Sequence, residues 1–196
     1  MTNNNHHHLV FKKIGPIATA KELLAGGLTY YELRKLLAAG KVTKLKRGLY
    51  RWREAEISEM GEVDRAVGKG VFCLYSAAFH HQLTTFVPSD YHLAVPKKYK
   101  VVLPDYPPVK LYYWLEESYV SGTMRVEVEG SLVSIYDPEK TVCDFFRYRK
   151  QVGTDLLKEV VTTYLARDDR NLSKLSRYAT ALKVGKIVRE YLTMLL

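Results

Sequence analysis

Thr29–Arg53, TYYELRKLLAAGKVTKLKRGLYRWR, contains in order a capped helix, a glycine stop and a basic hairpin, and its reading decides the fold. Thr29 precedes Glu32 by three residues, the spacing at which each side chain bonds the other residue's backbone N–H, so a helix begins here. Gly40 supplies the left-handed residue that ends it. At about 100° per residue, Tyr30, Leu33, Leu36 and Leu37 gather on one side, while Tyr31, Arg34, Lys35 and Ala38 fall on the other. An apolar buried face and a basic free face are expected.

Beyond the helix, Val42, Lys44 and Lys46, then Leu49 to Trp52, alternate around Arg47-Gly48, predicting two short antiparallel strands joined by a turn. Lys44, Lys46, Arg47, Arg51 and Arg53 make this hairpin a cationic wing. A helix placed in the major groove needs a small, polar free face, and Ala38 and Ala39 let its backbone approach closely; cations on a wing neutralise phosphates and release counterions. An ordinary helix and hairpin with solvated charges is the bland alternative. The order and density of the features favour duplex DNA, with Tyr31, Arg34, Lys35, Lys44, Lys46, Arg47, Arg51 and Arg53 as the expected contacts.

Upstream, Thr19 and Glu22 repeat the capping spacing ahead of Leu23 and Leu24, and Gly26-Gly27 provides a turn, as a positioning helix requires. Leu9, Val10, Phe11 and Ile14 predict a first helix before Gly15-Pro16, completing a winged helix-turn-helix over residues 1–56. His6, His7 and His8 fall in a polar opening read as a disordered terminus rather than a metal site. Charge follows the same division: residues 1–56 hold 11 Lys/Arg against 4 Asp/Glu, giving +7 of the total +9. A polyanion held by the N-terminal module is implied.

Residues 57–70 are acidic, then glycine-bearing, and read as a linker containing a short helix near Val63 to Val67. Residues 71–196 change character. The apolar run Val71 to Tyr75 leads to Ser76 as a helix cap, and extended segments follow at Tyr91 to Val95, Val101 to Leu103, Val109 to Trp114, Met124 to Val128 and Leu132 to Tyr136. Glu129-Gly130 reads as a hairpin turn. From Asp137 the period becomes helical, with Asp137 capping and Pro138 in the first turn. Further helices are expected at Asp155 to Ala166, Leu172 to Leu182 and Lys186 to Leu196. The fold class is therefore α+β: a winged helix-turn-helix, then a mixed domain with a mainly antiparallel sheet and C-terminal helices.

Cys73 and Cys143 are too few for a disulfide framework or a cysteine zinc site, and neither a signal peptide nor a long apolar span is present, so a reduced cytoplasmic setting away from membranes is expected. Catalytic constellations fare poorly. No Asp or Glu has Lys two positions later, against a restriction-type nuclease, and Gly130-Ser131 lies too close to Asp137-Pro138-Glu139 for a nucleotidyltransferase site. Cys73 with His80 or His81 has no visible orienting group. Tyr112, Tyr113 and Trp114 suit base stacking or a half-buried sheet equally, and Lys97, Lys98 and Lys100 suit a phosphate contact or a solvated turn. No cofactor, metal or enzymatic activity is expected. A nucleic-acid-processing enzyme targeted to DNA by the wing stays open as the alternative.

The chain resembles the AbiEi family of antitoxins and regulators of type IV toxin-antitoxin systems in phage defence. The resemblance rests on GKVTKLKRGLYRW at Gly40–Trp52 and DPEKTVCDFFRYRKQVG at Asp137–Gly153, with SAAFHHQLT at Ser76–Thr84 and YHLAVPKK at Tyr91–Lys98 between. It implies a winged domain that represses its own operon through inverted repeats in double-stranded operator DNA, with self-association on DNA left open. It also implies a C-terminal domain that opposes a nucleotidyltransferase-like toxin without forming a stable complex. Lys140, Arg147 and Arg149 are the expected antitoxin surface, although an N-cap and solvated helix face would explain the same charges.

Overall fold

A computed structural model describes residues 3–195. The chain divides into two compact units, the first ending at Gly68 and including 100–108 and 127–132, the second taking the rest.

In the first unit, α1 (Asn3–Ile14), β1 (Ile17–Thr19), α2 (Ala20–Ala25) and α3 (Tyr30–Ala38) precede β2 (Val42–Lys46), β3 (Leu49–Trp52) and α4 (Glu59–Val67). Both expected capping boxes are formed. Glu22 N–H donates to Thr19 Oγ1 at 3.2 Å while Thr19 N–H donates to the Glu22 carboxylate at 2.7 Å, and the Thr29–Glu32 pair gives 3.2 and 2.8 Å. Gly40, at φ +66°, closes α3: Lys41 N–H reaches back to the Leu36 carbonyl at 3.0 Å and Gly40 N–H to that of Leu37 at 3.1 Å. These two bonds satisfy carbonyls that the helix end leaves open, in a conformation a side chain would strain.

The hairpin forms with Val42 opposite Trp52 and Lys44 opposite Tyr50, and β1 joins the far side of β3 to make a three-stranded antiparallel sheet in the order β1-β3-β2. Phe11, Leu23, Leu33, Leu36, Val42 and Trp52 bury a common core beneath the helices. Three features differ from the sequence reading. His6 to His8 lie within α1, and His7 is buried with Nε2 3.2 Å from Glu32 Oε1, so the histidines extend a helix that packs. Tyr30, assigned to the buried face of α3, is 60% exposed, because it is the first residue of the helix and precedes the stripe made by Leu33 and Leu36. Residues 57–70 contain the expected short helix, α4, but its Ala66 packs with Ile17 and Leu49 where a linker was read.

The second unit contains β4 (Val71–Phe72), α5 (Leu74–His80), β5 (Tyr91–Pro96), β6 (Val109–Trp114), α6 (Glu116–Val120) and most of β7 (Thr123–Val128) and β8 (Ser131–Tyr136), whose connecting residues 127–132 fall in the first. Then come α7 (Pro138–Arg147), α8 (Arg149–Val152), α9 (Thr154–Leu165), α10 (Leu172–Ala181) and α11 (Gly185–Leu195), so the C-terminal helices and the α+β class hold. Leu196, the last residue of the expected final helix, lies outside the described residues. The sheet runs β6-β5-β4-β8-β7 and is mixed rather than mainly antiparallel. β4 pairs antiparallel with β5, but β5 and β6 are parallel from Tyr91–Val109 to Pro96–Trp114, and β4 meets β8 in parallel at Phe72–Ile135. The connection 97–108 is long enough to return the chain to its starting end, which parallel pairing needs and a tight turn cannot supply. That return uses Val101 to Leu103, expected as a strand, as irregular chain.

Ser76 is inside α5 rather than at its cap, where its Oγ accepts from His92 N–H at 2.8 Å; Cys73 occupies the cap. Asp137 and Pro138 open α7 as expected, Asp137 accepting from Lys140 N–H at 2.8 Å. Every residue of α7 from Glu139 to Phe146 is buried. This helix is the axis of the second core, its Phe145 and Phe146 clustering with Val160, Val161 and Tyr164 of α9.

Candidate nucleic-acid interface

The candidate site is the free side of α3 and the hairpin that follows it. Leu33 and Leu36 anchor α3 to the core, leaving Tyr30, Tyr31, Arg34, Lys35 and Ala38 exposed along one side. Residues three and four apart are neighbours on a helix, so this is one continuous strip. Lys35 Nζ sits 4.5 Å from the centre of the Tyr31 ring, a cation–π contact that joins two of the expected residues. Glu32, on the strip's border, is held at a pKa of about 2 by the Thr29 backbone N–H, the Thr29 hydroxyl and His7. Its charge is committed to the helix start.

The hairpin divides its cations unequally. Lys44 and Arg47 are exposed and, with Arg34, have no ion-pair partner among the described residues. Arg53 is exposed and donates to the Gly40 carbonyl at 3.3 Å, beside the C-terminal end of α3. Lys46 and Arg51 turn inward. A bulge between Lys44 and Lys46 breaks the alternation the sequence suggested, and Lys46 Nζ donates to the Ala66 carbonyl at 2.5 Å and that of Val102 at 3.0 Å. Burial pushes the pKa of this ammonium down. Arg51 pairs with Glu62 of α4 and donates to the Ala55 carbonyl at 3.1 Å. Burial pushes the Glu62 carboxyl up, and the Arg51 charge opposes it. Of the eight residues expected to touch DNA, Lys46 and Arg51 are thus bound within the unit. Tyr30, not among the eight, is exposed on the same strip, and its place at the first helical residue, beyond the apolar stripe, was the sequence signal for that exposure.

Residues 10–51 match the family model of the transcriptional regulator, AbiEi antitoxin. The match runs from α1 into β3 and so covers the elements that carry the strip and the hairpin. No curated protein matches the chain. Among solved structures, that of the RV2827C protein from Mycobacterium tuberculosis is similar over 91% of this chain and 75% of that one, with 13% identity and a TM-score of 0.48.

The residues of the second resemblance, Asp137–Gly153, lie outside the AbiEi match, and their charged side chains Asp137, Glu139, Lys140 and Asp144 are buried, while Lys150 is exposed. Lys140 is fully buried, which overturns its assignment to a surface: its Nζ donates to Asp144 Oδ1 at 2.8 Å and Oδ2 at 2.6 Å. The Trp114 and Tyr136 rings lie 4.2 Å from the same ammonium. An i,i+4 pair on a helix enclosed on all sides has only itself and π faces to satisfy it. Gly122 makes room: a Cβ there would come within 2.6 Å of Lys140 Cβ. Burial raises the Asp144 pKa to about 6, with Lys140 opposing.

Around this pair a second polar layer is closed. Tyr178 donates to Asp137 at 3.0 Å, Tyr164 to Glu139 at 3.1 Å, and Lys174 bridges both acids at 3.1 and 3.2 Å. Arg147 is half-buried with its guanidinium 5.3 Å from the Trp114 ring centre, and Arg149 is half-buried and donates to the Phe146 carbonyl at 3.1 Å. Cys73 is wholly buried and its thiol is pushed well up, while His81 Nε2 is engaged with the Tyr136 carbonyl at 2.7 Å. Neither is set for nucleophilic chemistry. Among the described residues no group of three His, Cys, Asp or Glu could hold a metal, and no helix is long and apolar enough to cross a membrane.

Proposed function

We propose that this chain is a DNA-binding regulator of the AbiEi antitoxin type, which reads duplex operator DNA with α3 and uses the β2–β3 hairpin as a wing. The observation that carries the proposal is the exposed trio Arg34, Lys44 and Arg47, without ion partners among the described residues, on a helix and hairpin within the segment that matches the regulator model. α3 presents small and aromatic residues beside its cations, as a helix lying against base edges requires, and the hairpin presents charges suited to phosphates. Tyr31, Arg34 and Lys35 read the groove. Lys44, Arg47 and Arg53 contact the backbone, whereas Lys46 and Arg51 fix the wing to α4.

The site is an operator with inverted repeats in the chain's own operon, so binding represses transcription. The second unit relieves a nucleotidyltransferase-like toxin without a stable complex, in the setting of phage defence. Its half-buried cations Arg147 and Arg149 replace the enclosed Lys140 as the residues to probe. Rescue of cells from the neighbouring toxin, with the chain expressed from an independent promoter, separates the two roles: wing variants that lose DNA binding retain rescue. Loss of rescue in those variants at fixed toxin dose would tie protection to DNA binding and break the division of labour.

A further inference from the structure

We infer that α3 is built to read a guanine bordered by thymines, with Arg34 on the guanine and the Tyr30, Tyr31 and Ala38 side chains on the thymine methyls. This rests on the DNA-binding reading above and adds the base chemistry. Two side chains on the strip carry positive charge, and they are not equivalent. Lys35 is held over the Tyr31 ring at 4.5 Å, whereas Arg34 has no partner among the described residues and keeps its planar fork free. A free guanidinium on a groove-facing helix matches the paired acceptors O6 and N7 of guanine.

On either side of Arg34 the strip is apolar. Tyr30 and Tyr31 are 60% and 66% exposed at the start of α3, and Ala38 is exposed at its end. Tyr30 and Ala38 each stand four residues from Arg34, about 6 Å along the helix and so within two base steps of the guanine. Large aromatic surface left in water at the end of a helix that enters a groove gains most by covering another apolar group, and the major groove offers only one, the thymine 5-methyl. Adenine and cytosine present amino donors, for which the strip has no free carboxylate or amide: Glu32 is the one acid on α3, and it is bound to Thr29 and His7.

The test uses the full chain. Duplexes selected from a randomised library are remade with 7-deazaguanine at the enriched guanine, which removes N7, or with uracil for thymine, which removes the methyl. The wild type should lose roughly tenfold in affinity with 7-deazaguanine. Arg34→Ala should lose roughly tenfold on the unmodified duplex and nothing further with 7-deazaguanine. Uracil at the thymines on the tyrosine side of the guanine should weaken the wild type several-fold and leave a Tyr30→Ala/Tyr31→Ala variant unaffected. Tyr31→Phe, which keeps the ring and loses the hydroxyl, should bind like the wild type. A Tyr31→Phe loss equal to that of Tyr31→Ala would assign the ring to a phosphate through its hydroxyl and overturn the thymine contact. A selected consensus without guanine, or an undiminished 7-deazaguanine effect in Arg34→Ala, would overturn the guanine contact. Salt-sensitive binding with no enriched sequence would overturn this inference alone, and no duplex binding at all would overturn the DNA reading with it. These residues are exposed, so unchanged circular dichroism is expected for each variant and is checked.

Discussion

The two units treat charge in opposite ways. The first leaves Arg34, Lys44 and Arg47 in water with no ion partner among the described residues, while the second encloses Lys140 and Asp144 completely and lets them satisfy each other. Both sets look alike as sequence: cations on a helix or hairpin. What separates them is whether the element has a free side. α3 buries one stripe and keeps the other, whereas α7 is buried from Glu139 to Phe146 and over that stretch has no solvent face on which a charge could serve a partner. Charge removed from the first unit should therefore change binding and spare stability, and charge removed from the second should do the reverse.

The largest expected effect follows from the buried pair. Lys140→Met leaves the buried Asp144 carboxyl without its partner and should cost about 3–5 kcal/mol, read from denaturant or thermal unfolding. Replacing both, Lys140→Met with Asp144→Leu, should recover most of that loss, since a well-packed apolar pair has no charge to desolvate. A Lys140→Met variant as stable as the wild type would contradict the enclosed arrangement.

A loss of about 1 kcal/mol is expected where the helix starts lose their caps. Thr19→Ala and Thr29→Ala each remove an oxygen that accepts from a helix N–H at 3.2 Å, and unfolding midpoints measure the cost. Thr29→Ala should also weaken DNA binding by tilting or fraying the start of α3, and Thr19→Ala should do so less. Equal binding by both variants and the wild type would mean that the start of α3 is not part of the interface.

The smaller pH effect has opposite signs in the two units. Asp144 is raised to about 6 from an ordinary value of 3.8, so the folded chain holds a proton there more readily than the unfolded chain. Its contribution to stability therefore grows as pH falls through about 6 towards 4. Glu22 and Glu32 are depressed, Glu22 first by the Thr19 backbone N–H, and their contribution is full above about 4.5 and is lost as pH falls towards 2. Melting between pH 7 and 4 should show a rising component that disappears in Asp144→Asn. The same slope in Asp144→Asn would assign it to another group.

Much of the first unit was legible because its signals are local. Thr29 with Glu32, Thr19 with Glu22, and Gly40 each act within one helical turn, and each formed as the spacing implied. The inward turn of Lys46 was not legible, since a bulge reverses the side-chain alternation without a signature in residue type. Nor was the packing of α4: Ala66 meets Ile17 and Leu49, a contact between positions far apart in sequence. A fragment ending at residue 56 would expose that cluster, so one ending at Gly68 is the shorter piece expected to resemble the unit. In the second unit, Asp137 and Pro138 marked the helix start, and the i,i+4 spacing of Lys140 and Asp144 was a readable hint of pairing. Its burial depended not only on Tyr136, just before the helix, but on the Trp114 ring from β6, far earlier in the sequence.

The most direct test of the account is the salt dependence of duplex binding by the full chain and by Arg34→Ala/Lys44→Ala/Arg47→Ala, all exposed positions whose replacement should alter stability by less than about 0.5 kcal/mol each. The wild type should show a log–log slope of roughly −0.9 for each phosphate neutralised, and the variant should bind far more weakly, with a slope shallower by roughly one for each phosphate it no longer neutralises. Removing similar charge from α11 at the exposed residues Lys186 and Arg189 should leave affinity and slope unchanged. Wild-type affinity and slope in the triple variant would contradict the assignment of α3 and its hairpin as the DNA-binding face.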